Sequence, residues 1–124
     1  ANPLTAHFNV IHGQAVGLML PHVIRFNGFD REALAGYVEL ASTAGLARHT
    51  DPAERSIGAL LKRVIALLKA AEIPASLAAF KVAPEIISTL AREAAPQWTA
   101  QFNPRKIEAA DFVELYTAAL KGAE

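Results

Sequence analysis

Apolar residues recur at helical spacing along most of the chain. The clearest case is Ile57, Leu60, Leu61, Val64, Ile65 and Leu68, with Arg55, Lys62, Arg63 and Lys69 falling mainly elsewhere. That is one apolar stripe beside a wet face, the signature of a long amphipathic helix. Asp51-Pro52-Ala53-Glu54 precedes it, predicting an N-cap at Asp51, proline at the first helical position and an acid at the third. A second helix is predicted from Asp30 to about Ala44, with Leu34, Tyr37, Val38 and Ala41 on one face and Gly45 as the stop. Ala83-Pro84-Glu85 restarts a helix through about Ala94 that buries Ile86, Ile87 and Leu90. A last helix runs from about Ala109 to Leu120, burying Phe112, Val113, Tyr116, Ala119 and Leu120, and ends at Lys121-Gly122.

The N-terminal quarter reads differently. Gly13 to Phe26 is apolar on nearly all sides, which predicts a central buried helix, kinked or restarted at Pro21 and stopped by Asn27-Gly28. Pro3 and Thr5 make Asn2 to Val10 a helix end or turn. In the other connections, Ile73-Pro74 ends the long helix, Ser76 caps a short turn through Phe80, and Pro96 interrupts before a turn at Gln97 to Gln101. That turn carries Trp98, which is expected in the core. Asn103-Pro104-Arg105 is read as a tight connection, with Arg105 capping helix carbonyls rather than touching substrate. No stretch of strand-like alternation and no fixed repeat is present. The expectation is an all-α fold, a compact multi-helix bundle of about five to seven helices forming a single domain over residues 1–124.

Composition narrows the possible partners. Apolar residues make up 52% of the 124 and charged ones 19%, leaving limited polar surface and making a partner-covered face plausible. Twelve basic and twelve acidic side chains cancel, so no overall field attracts nucleic acid or an anionic membrane. The run around Ala15 to Ile24 is too short to span a bilayer. The absence of cysteine fits a reducing cytoplasm without requiring one.

The candidate chemistry is concentrated in NPLTAHFNVIHGQAVGLMLPHVIRFN, Asn2 to Asn27, which holds His7, His12 and His22. A neutral imidazole can bind a divalent metal. These three are five and ten residues apart, whereas two ligands on one helical face need a separation of three or four. No self-sufficient metal cluster is therefore encoded. His49, between Arg48 and Thr50, reads as a solvated loop histidine. The glycines lack dinucleotide or P-loop spacing, and no GxSxG motif occurs.

The order NPLTAHF, HGQAVGLMLPHVIRFN, then QWTAQFNPR and FVELY resembles the C-terminal helical, metal-binding domain of the iron-containing (group III) alcohol dehydrogenases, within the dehydroquinate synthase-like fold. The resemblance runs from Ala1 to about Leu120. It implies that His12, in the His-Gly pair before the LPH helix, is a ligand of the catalytic divalent metal, iron or zinc. It also implies that NAD(P) is used by the full-length enzyme, in which the metal polarises the alcohol or carbonyl oxygen while hydride passes to or from the nicotinamide. Family members use one aspartate and three histidines, and the other three ligands would lie before Ala1, as would the glycine-rich nucleotide-binding domain. Many relatives have histidine where this chain has Asn2, and asparagine cannot exchange that proton. Val16, Leu20 and Phe8 would line a dry cleft, with His7 and His22 orienting neighbours by hydrogen bonds. The start at Ala1, without methionine and inside the resemblance, reads as a cut end, although removal of an initiator before alanine would look the same.

The expectation is therefore a cytoplasmic C-terminal domain or fragment of a metal-dependent alcohol dehydrogenase. It contributes one ligand and a cleft wall, is inactive alone and binds neither metal nor NAD(P) firmly by itself. Its partner is the missing nucleotide-binding domain or a self-association partner. The alternatives are a non-catalytic helical module used for self-association or partner binding, and a small-ligand binding bundle.

Overall fold

In the computed structural model, which describes residues 1–122, the chain forms six α-helices joined by loops and short 3-10 turns, with no strand among the described residues. The helices are α1 (Asn2–Phe8), α2 (His12–Asn27), α3 (Arg31–Thr43), α4 (Ala53–Ala70), α5 (Ile87–Ala94) and α6 (Ala109–Lys121). The all-α expectation holds.

Several boundaries differ from expectation for identifiable reasons. Asn2–Phe8 is a helix, not a turn, because Pro3 lies in its first turn, where a missing N–H costs nothing. It ends at Asn9, left-handed at φ 53°, whose N–H bonds the Thr5 carbonyl. α2 continues through Pro21 without a restart. It buries Ala15, Leu18, Met19, Pro21, His22, Ile24, Phe26 and Asn27, while Val16 and Leu20 are exposed, so it is covered on part of its circumference and not all round. α4 starts at Ala53 with Pro52 as N-cap, and Asp51 instead accepts a hydrogen bond from the Arg48 N–H at 2.8 Å, closing the preceding loop. Asp30 caps α3 as expected, accepting from the Ala33 N–H at 3.0 Å. In α6 a Glu108/Asp111 capping box fixes the start, and the inward register buries Leu115 where Val113 was expected.

Two apolar clusters result. The larger joins α1, α2, α5 and α6 with the 3-10 turn Leu77–Phe80, around Leu4, Leu18, Leu77, Leu90 and Tyr116. The smaller lies where α3 and α4, packed as a hairpin, meet α2 through Ile24, Ala41, Leu60 and Leu61. α2 is common to both. Two glycines let α4 and its C-terminal loop approach it closely: a Cβ at Gly17 would lie 3.0 Å from Leu68 Cδ2, and one at Gly28 only 2.6 Å from Ile57 Cδ1. Trp98 is not in the core. It lies on the 3-10 segment Trp98–Phe102, 68% exposed, its ring edge-on to Phe102 at 5.5 Å. That segment, flanked by Pro96 and Pro104, joins α5 to α6 in the chain and leaves the indole at the surface.

Candidate functional site

A cleft of about 550 Å³ opens along α2. One wall is a stripe of α2, His12, Val16, Met19 and Val23, which are four, three and four residues apart and so lie on one helical face. Asn2 and Pro3 of α1 close one side. Phe102, Ile107, Phe112 and Tyr116 also line the cleft. α1 is held by Leu4, fully buried in the larger cluster, and two exposed bridges link it to the α5 side: His7 Nε2 lies 2.6 Å from Glu93 Oε2, and Asn2 Nδ2 donates to Gln97 Oε1 at 3.2 Å. Of the expected lining residues, Val16 is present; Leu20 and Phe8 are not. Leu20 is eight positions from His12 and turns to solvent, and Phe8 packs against the larger core. Met19 and Val23, at the next two inward positions, take their place.

The three histidines are not brought together. His12 is the first residue of α2 and is exposed at the cleft rim, with no hydrogen-bond partner among the described residues. His7 is engaged with Glu93. His22 is 4% exposed, on a different side of α2, and its Nε2 is buried without a partner. Ten residues of helix separate it from His12 by about 15 Å, too far to share an ion. Burial, and secondarily the charge of Arg25, hold the His22 pKa below the ordinary value of 6.5. At the back of the cleft, burial and then Glu93 push the Tyr116 hydroxyl up to about 12, so it remains protonated and cannot serve as a base near neutrality. His49 lies exposed in the α3–α4 connection, as expected of a solvated loop residue.

Residues 1–120 match the Fe-containing alcohol dehydrogenase family, C-terminal. The chain belongs to that family. It is 35% identical over 120 residues to lactaldehyde reductase of Escherichia coli (strain K12), covering 96% of this chain and 31% of that protein. It is also 29% identical over 119 residues to a 1-propanol dehydrogenase of Citrobacter freundii, covering 93% of this chain and 32% of that one. A crystal structure of 1,3-propanediol oxidoreductase superposes with a TM-score of 0.87 at 21% identity, over 95% of this chain and 30% of that one. The likeness to this last protein carries the fold. The chain thus spans about a third of the length of the relatives it matches.

The family name implies iron. Among the described residues no group of three or more His, Cys, Asp or Glu converges to hold a metal ion, so these residues alone do not fit such a group. What they offer at the cleft is a single free imidazole. The Asn103-Pro104-Arg105 turn has a structural task. Arg105 Nη1 donates to the Phe26 carbonyl at 2.8 Å, and its guanidinium lies 3.8 Å from the Phe26 ring centroid, so it caps the C-terminal end of α2, as the sequence reading expected. Sequence reasoning missed its companion. Asn27, 2% exposed, donates to Asn103 Oδ1 at 3.0 Å, and Asn103 donates back at 2.7 Å. The only hint was a pair of asparagines beside turn residues, 76 positions apart.

Proposed function

We propose that this chain is the helical, metal-side part of an NAD(P)-linked, metal-dependent alcohol dehydrogenase, and that His12 supplies one donor to a divalent metal whose other ligands come from outside these residues. The observation that carries the reading is the position of His12: its ring is exposed and unpartnered at one end of an apolar cleft, in a chain of this family. In that role the chain's own residues hold the imidazole at the helix start, keep water from the cleft floor through Val16, Met19 and Val23, and hold α1 over its edge through His7 and Asn2. Tyr116 stays neutral and packs the back wall.

One imidazole cannot close a coordination shell. The chain by itself is therefore inactive and loses added iron or zinc on dialysis. Sustained nicotinamide oxidation by the purified chain with aldehyde and either metal would refute this. The ligand assignment is tested in a chimaera in which this chain replaces the matching C-terminal part of the Escherichia coli lactaldehyde reductase. Stoichiometric bound metal is expected, and lost in His12→Ala; full retention by that variant would remove His12 from the ligand set.

A second reading is favoured by the exposed Ile11, Phe29, Trp98 and Phe102: a non-catalytic module whose apolar surface is covered by a second copy. Solution mass separates the two, because a monomer at all concentrations removes the self-association reading. The cytoplasmic setting belongs to the enzyme reading; no helix of the described residues is long and apolar enough to cross a membrane.

A further inference from the structure

We infer that a second pocket, between the C-terminal parts of α2 and α6 and away from His12, binds a small monocarboxylate with an aromatic body. Its volume is about 590 Å³. Among the described residues, Arg25, Arg105 and Lys121 line it beside one acid, Glu114, in a chain whose basic and acidic side chains otherwise cancel. Neither Lys121 nor Glu114 has a hydrogen-bond or ion-pair partner among the described residues. Arg105 spends Nη1 on the Phe26 carbonyl, and the rest of its five-donor fork is left for a ligand. His22, 4% exposed, belongs to the same wall, and its buried Nε2 lacks a partner. An orphaned ring nitrogen of that kind calls for an acceptor.

Charge selects the ligand class. Three cations less one carboxylate leave two positive charges on the wall. The C-terminal ends of α2 and α6 carry about half a negative charge each, which brings the balance to about one. A monoanion matches that balance, whereas a phosphate ester would exceed it. The body of the ligand is set by Phe29, whose ring is 85% exposed and has its centroid 5.8 Å from the Arg105 guanidinium. A ring laid on Phe29 places its carboxylate within reach of that guanidinium. Leu115 and Ala118 supply further apolar wall.

Benzoate is the probe, with benzyl alcohol as its uncharged counterpart, titrated into the chain with ¹³C-labelled histidine and followed by NMR. A saturable shift of the His22 ring signal is expected with benzoate, while the His12 signal stays in place and benzyl alcohol gives no saturation. Two exposed substitutions should move affinity in opposite directions. Lys121→Gln should weaken benzoate about threefold and Glu114→Gln tighten it about threefold, with Lys62→Gln, exposed on α4, unchanged. The opposed signs separate a charge effect at the pocket from a loss of folding. Equal binding of benzyl alcohol, a response at His12 in place of His22, tighter binding of phenyl phosphate than of benzoate, or affinity unchanged in both charge variants overturns the proposal.

Discussion

The two apolar clusters were assembled by different means. The α3–α4 hairpin joins helices adjacent in sequence, with a cap at Asp30, a turn at Gly45 and an amphipathic stripe that can be read one helix at a time. The α1–α2–α5–α6 cluster joins the two ends of the chain, and the cleft exists only because they meet. Local pattern is therefore enough to specify the support, while the candidate site depends on contacts that no short window contains.

The sharpest way to test this contrast is to truncate one buried leucine in each cluster. Leu90, fully buried in the larger one, should cost about 3–5 kcal/mol as Leu90→Ala, and Leu60→Ala in the smaller one about 2–3 kcal/mol. Urea unfolding of both variants measures the gap, and a larger loss for Leu60 would reverse the ranking. Next in size is Asn103→Ala, which strips the buried Asn27 amide of its reciprocal partner and should cost about 1–3 kcal/mol. The α2 amide signals near Phe26 should move while those of the α3–α4 hairpin remain in place.

Acidification should act through His22. Its folded pKa lies below the ordinary 6.5, so the unfolded chain binds the proton more readily. Stability is then unaffected above about pH 6.5 and is lost as pH falls from there toward the folded value. Unfolding midpoints of His22→Phe against pH should lack that part of the decline, and an unchanged slope would mean that another group causes it. The smallest effect expected is for His7→Ala. Its pairing with Glu93 is substantially exposed and should contribute less than about 1 kcal/mol to thermal stability.

Much of this molecule was legible from periodicity. The stripe of α4, the cap of α3 and the stop of α6 fell where spacing placed them, because each depends on neighbours within a few residues. Pro3 misled because a proline's effect depends on where it sits in a helix, and of the two outcomes expected at Pro21 the restart did not occur. Trp98 misled because its composition signal, a large aromatic ring, says nothing about which side of a surface-running turn it occupies. At the cleft, the motif located His12, but a continuation through Leu20 in place of Met19 and Val23 follows from taking two steps of four where the helix turned inward after four and then three. The latch of Asn27, Asn103 and Arg105 could not be read from either segment alone.

That latch also orders events during synthesis. A ribosome releases Asn27 well before Asn103 and Arg105, and through that interval the final carbonyls of α2 face water instead of a guanidinium. The neighbouring hairpin can already be folded by then. The C-terminal end of α2 at Phe26 is thus capped late, only after Asn103 and Arg105 have emerged.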